Sequence, residues 1–144
     1  MRFMVIVKAS KDSEAGKMPS KEMLETMGAF NEELVKAGVM LAGEGLWDSS
    51  HGARIRFENG KATKVIDGPF AETKELVAGF WLVQMKSKEE CVAWFSRCPA
   101  PHEGEPTELE IRRVFDPTDF PDASREMVAR ELELRAEADK KLKG

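Results

Sequence analysis

The chain has 144 residues, 42% hydrophobic and 33% charged, with 26 acidic against 22 basic side chains and a net charge of −4. That length suits one domain with a real core that would still gain from a partner subunit, and the acidic balance, with no Lys/Arg run or basic stripe among aromatics, argues against nucleic acid. Apolar runs of about five residues fall far short of the roughly 20 that span a bilayer, and Met1-Arg2-Phe3 leads straight into a strand pattern, so a soluble cytoplasmic protein is expected.

In "RFMVIVKAS" every residue from Phe3 to Val7 is apolar, so both faces of this first strand want burial. Lys11 to Met18 is polar and is taken as a loop. Ser20 after Pro19 is a candidate N-cap, and Met23, Met27, Phe30 and Leu34 recur on one helical face until Gly38 stops it, which predicts a helix over 20–37. "VMLAGEGLW" (39–47) is a second strand whose glycines point to a bulge or a close backbone approach near Glu44. Ile55 and Phe57 alternate with Arg54 and Arg56, Asn59-Gly60 supplies a tight turn, and Val65-Ile66 closes a hairpin.

"LVAGFWLVQM" (76–85) is again apolar on both faces and takes a central place. Ser87 and Glu90 have capping-box spacing and open a helix that carries Cys91, Trp94 and Phe95 to about Ser96. Cys91 and Cys98 lie seven apart, about two turns along this helix and its exit, so both are expected to be reduced thiols. A Pro-rich loop leads into a last strand, "TELEIRRVF". Pro117 and Pro121 mark a linker, and 123–142 is a charged helix with a thin apolar stripe, so Val128 and Leu132 are expected to dock on the body or on a partner subunit.

The order β-α-β-β-β-β-α-β describes an α+β, ferredoxin-like sandwich: an antiparallel sheet with helices on one face, an inserted β-hairpin and an extra C-terminal helix. The domain is expected over 1–116, with a linker and helical extension over 117–144. Two strands apolar on both sides predict a homodimer, sheet against sheet, with larger assemblies left open.

"AGEGL", "VIDGPFAETKE", "AGFWLV" and "RCPAP" followed by "EIR" together resemble the DGPF branch of the YCII-related family over about residues 2–115. The resemblance implies the dimeric α+β barrel fold. Members are mostly of unknown function, some encoded beside extracytoplasmic-function sigma factors and some connected with small-molecule chemistry. A histidine–aspartate pair proposed for smaller members is not carried over, because the first helix here has no histidine.

Asp67 leaves a strand and is followed by Gly68-Pro69, a rigid turn that fixes its position. Its carboxylate either ties its own turn or faces a pocket. Glu72, Lys74 and Glu75 crowd the same loop as a charge cluster or a solvated surface, and Phe70 is expected to plug the core beneath. Glu44, in a strand expected to be buried, needs a counter-ion from Arg54, Arg56 or Lys74. His51 sits in a Ser-Ser-His-Gly turn, and His102 in the loop "CPAPHEGE".

No metal is expected, since the two histidines lack paired ligand spacing, and no cofactor, since phosphate and dinucleotide loops are absent, as is a nucleophile elbow. Two functions stay open. One is a small-molecule binding protein or an enzyme of lyase or isomerase type, with Asp67 or His102 as proton carrier and Glu44, Glu72 and Lys74 as ligand contacts beside the Asp-Gly-Pro-Phe loop. The other is a non-catalytic dimeric protein in sigma-factor-linked transcription control.

Overall fold

Alternation along the first strand sends Phe3, Val5 and Val7 to one face, and in the computed structural model, which describes residues 1–144, all three are buried. This strand, β1 (Arg2–Lys8), lies inside a four-stranded sheet with β2 (Met40–Gly45), β5 (Val77–Gln84) and β6 (Leu109–Arg113). The order is β2-β5-β1-β6, and every neighbouring pair is antiparallel. Two βα units joined in that order are the ferredoxin-like α+β fold that the element order predicts.

Helices α2 (Lys21–Lys36) and α3 (Lys88–Phe95) supply the covering layer. Phe30 and Leu34 from α2, with Cys91 and Phe95 from α3, pack against Phe3, Val5, Trp81, Val83 and Met85. The rings of Phe30, Trp81 and Phe95 meet edge-on or tilted at 5.1–6.3 Å between centroids. Each such buried side chain stabilises the fold by about 1.5–3 kcal/mol through area removed from water. On the opposite face Met4, Ile6, Phe80 and Leu82 are half-buried.

The glycines of β2 were expected to mark a bulge or a close approach near Glu44, and the strand shows both: its register against β5 shifts between Met40 and Ala42, and the backbones approach closely at Gly43 and Gly79. A Cβ on Gly79 would stand 2.9 Å from the Glu44 carbonyl oxygen, and one on Gly43 would stand 3.0 Å from Trp81 Cδ1.

Two local expectations are corrected. The polar stretch after β1 holds a short helix, α1 (Lys11–Glu14), because Ser10 and Ser13 cap each other reciprocally. At α3, Ser87 accepts the Glu90 N–H as foreseen, but the Glu90 carboxylate reaches back to the Lys86 N–H at 2.7 Å, one residue beyond capping-box geometry. Lys86 lies just before the Ser87 N-cap, and its amide is the donor within reach.

The hairpin, β3 (Ala53–Glu58) and β4 (Lys61–Asp67), forms a separate two-stranded sheet. Its turn uses Asn59 and Gly60 at φ 52° and 79°, as an Asn-Gly hairpin requires. The chain divides into two compact units, Met1–Arg113 and Val114–Gly144. In the second, Phe115 stacks on Phe120 at 4.8 Å, and Ser124 caps α4 (Arg125–Lys143) by accepting the Met127 N–H. Val128 and Leu132 line a small groove there with Thr118 and Phe120.

Candidate functional site

The open end of the sandwich encloses a cavity of about 600 Å³. Its floor is the β2–β5 edge from Gly43 to Gly45 and from Ala78 to Trp81. One wall is α2, through Met23, Met27 and Asn31. The others are α1 with the segment after it, Leu46 to Asp48, and the loop Pro101 to Glu103. Volume and apolar lining with a few polar groups fit a small-molecule site.

Three polar devices hold these walls. The buried Trp81 indole N–H donates to Asn31 Oδ1 at 2.8 Å, which satisfies the donor and ties sheet to helix. His102 Nε2–H donates to the Lys8 carbonyl oxygen at 2.7 Å. A carbonyl only accepts, so Nε2 carries a proton in this bond. The same loop is pinned by the Ser20 hydroxyl on Glu103 Oε1 at 3.1 Å and by the Lys11 N–H on Glu105 Oε1 at 3.3 Å.

Glu44 and His102 therefore border the cavity, while Asp67, Glu72 and Lys74 do not. Glu44 lies on an edge strand, exposed and opposite Phe80, and no counter-ion pairs with it. The expectation that Arg54, Arg56 or Lys74 would neutralise it is corrected: an exposed edge carboxylate is hydrated and needs none. Asp12, Asp48 and Glu103 are the other carboxylates on the lining; Lys17, its one lysine, pairs with Asp12 at 3.5 Å. Ser50 donates to Asp48 from both hydroxyl and backbone, and the hydroxyl bond is the main reason the Asp48 pKa is lowered.

The Asp-Gly-Pro-Phe turn does something else. Gly68 N–H donates to the Gly52 carbonyl oxygen at 3.0 Å, and Phe70 N–H to Ser49 Oγ at 2.9 Å. Ser49 in turn gives its N–H and its hydroxyl to the two oxygens of Glu14, at 3.0 and 2.6 Å. The turn thus clasps the segment that carries Trp47 and Asp48 into the cavity wall. A Cβ at position 68 would fall 1.7 Å from the Ser49 carbonyl oxygen, so only glycine fits. Asp67 is exposed at the end of β4, and its carboxylate accepts no amide of the turn.

Phe70 is not the core plug that was expected. It is half-buried outside the core, with the Arg54 guanidinium 3.9 Å above its ring, because Ser49 holds its backbone on the hairpin side. Glu72 and Lys74 are exposed beyond it. His51 is exposed and stacked on Trp47 at 4.8 Å. No three His, Cys, Asp or Glu side chains are grouped to hold a metal ion. No helix is long and apolar enough to cross a membrane.

Comparison with known families gives one decisive match: the YCII-related domain over residues 1–115. The chain belongs to the YCII-related family. An uncharacterized protein of Rhizobium meliloti is 32% identical over 83 residues, 58% of this chain and 66% of that protein's length. Among solved structures, a 5-chloro-2-hydroxyhydroquinone dehydrochlorinase from Burkholderia phenoliruptrix, in complex with 2,5-dihydroxybenzoquinone, is similar at 15% identity. That match has a TM-score of 0.44 and covers 80% of this chain and 94% of the other. The YCII-related match takes in the unit that holds the cavity and leaves α4 outside it.

Proposed function

We propose that this protein binds a small organic molecule in the cavity between α2 and the β2–β5 edge, with His102 as the group that moves a proton. The observation that supports this most is the pairing of an apolar hollow of about 600 Å³ with a histidine whose ring is held in place by the Lys8 carbonyl. Imidazole is the side chain suited to proton transfer near neutral pH, and a lyase or isomerase step needs little more than a positioned acid or base. Glu44 is the second polar group of the site, at the β2 edge. Asp67, Glu72 and Lys74 belong in this reading to the clasp and its surface.

The lining carries Asp12, Glu44, Asp48 and Glu103 against Lys17 alone, so the ligand is neutral or cationic with an apolar body. We also propose that the protein is a cytoplasmic homodimer, the second copy covering Met4, Ile6, Phe80 and Leu82. Both cysteines are free, in keeping with a reducing compartment.

The test is a fragment screen by amide and indole NMR on the full chain, with amine, neutral and carboxylate versions of each aromatic fragment. Amines and neutral fragments should shift the Trp81 indole and His102 resonances, and His102→Gln should weaken those shifts. Hits that leave both resonances unmoved would overturn the reading.

A further inference from the structure

Asn31 carries more hydrogen-bonding capacity than its bond to Trp81 uses. Met23, Met27 and Asn31 follow one another at four-residue spacing, so they form one row on the cavity side of α2, with Asn31 its polar member. An indole nitrogen only donates, so the amide oxygen of Asn31 has to be the end that meets Trp81 Nε1, at 2.8 Å. That settles where the NH2 group lies: at the other end of the amide. Gly43 leaves room for the arrangement, since a Cβ there would stand 3.0 Å from Trp81 Cδ1 and 3.4 Å from Nε1 and would crowd the indole edge.

No group of the protein accepts a hydrogen bond from Asn31 Nδ2. No unpartnered side-chain nitrogen or oxygen is sealed from solvent either, so this half-buried amide keeps its two N–H bonds open. Other donors on the half-buried lining are spent: His102 Nε2–H on the Lys8 carbonyl oxygen, and the Ser13 hydroxyl on that of Ser10. The carboxylates of the lining only accept.

Given the ligand site proposed above, we propose that Asn31 is its specificity-determining residue, donating from Nδ2 to a neutral carbonyl oxygen on an otherwise apolar ligand. With Oδ1 held by Trp81, the side chain presents donors alone, and a carbonyl, which accepts alone, matches it fully. A hydroxyl would bring a donor that Asn31 has no acceptor left to meet. A carboxylate would meet the repulsion of Asp12, Glu44, Asp48 and Glu103. A body without oxygen would strip water from the NH2 group and put nothing in its place, which is the strongest kind of discrimination a polar group in a cavity provides.

The experiment titrates the full chain with matched aromatic pairs that differ only in a carbonyl, such as 1-indanone and indane, and follows the Asn31 side-chain amide and the Trp81 indole N–H by NMR. The ketones should move both resonances and bind about tenfold more tightly than their methylene counterparts, the effect of one hydrogen bond gained against one lost. In Asn31→Asp, which keeps the acceptor for Trp81 but replaces the donor, that preference should vanish while the methylene compounds bind as before. The comparison in the unaltered protein tests the proposal whatever the stability of the variant. Ketones that bind no better than their counterparts, ketones that leave the Asn31 amide unmoved, or a preference that survives in Asn31→Asp would each overturn it and leave the ligand site standing. A whole set of pairs that never moves the Trp81 indole would overturn the ligand site and this role of Asn31 together.

Discussion

Glu14 grips Ser49 with both carboxylate oxygens, taking its N–H at 3.0 Å and its hydroxyl at 2.6 Å, across 35 residues of chain. Because Ser49 Oγ also accepts the Phe70 N–H, one hydroxyl joins α1 to the Asp-Gly-Pro-Phe turn. Ser49→Ala strands that N–H and leaves Glu14 with a single partner. The expected cost is about 1–3 kcal/mol, the range for a part-buried polar group that loses its bond. Urea unfolding measures it, and an unchanged midpoint would show that the clasp does not stabilise the fold.

Two glycine-to-alanine changes should act in opposite directions. At Gly68 the new methyl would lie 1.7 Å from the Ser49 carbonyl oxygen, so the turn has to move away and stability falls by about 3 kcal/mol or more. At Gly28, inside α2 with nothing within 4 Å of the new Cβ, alanine should stabilise by about 0.5–1 kcal/mol. Thermal denaturation of the two variants checks the contrast.

Asn31→Ala removes the acceptor of the Trp81 indole N–H, which is 2.8 Å away. Trp81 is 5% exposed, so water cannot fully replace it. A loss of about 1–3 kcal/mol follows, together with a shifted indole N–H resonance. Asn31→Asp, which keeps an acceptor, should restore most of both.

Burial pushes the thiols of Cys91 and Cys98 up to about 11, from an ordinary value of 9.0. The folded protein holds those protons to higher pH than the unfolded chain does. Their contribution to stability is therefore complete below about pH 9 and lost as pH rises towards 11. Thiol titration at pH 8 should show both groups slow to react until denaturant is added.

The fold was legible because its signals were periodic. Phe3 to Val7, Met23 to Leu34 and the Asn59-Gly60 turn each fix an element from a few residues, and the central strands declare themselves by apolar residues on both faces. The cavity was legible only in part. Glu44 and His102 stood out by neighbourhood, but Asp67 drew attention for its rigid turn, and rigidity there serves the contact of Gly68 with Ser49. Glu14, Ser49 and Asn31 went unseen because their roles arise from partners 21 to 50 residues away, which no local spacing encodes. The short helix α1 was missed because a Ser–Ser cap pair does not follow the Ser/Thr-x-x-Glu/Gln pattern.

In the proposed function the hollow beside His102 and Glu44 is the ligand site. The most direct measurement is a crystal structure of the full chain grown with the tightest neutral or cationic fragment. Electron density for that fragment is expected between Trp81 and α2, with a polar atom within about 3.2 Å of the His102 ring. Density seated instead on the Asp67 turn, or a cavity closed by Met23 and Met27 with the fragment elsewhere, would contradict it.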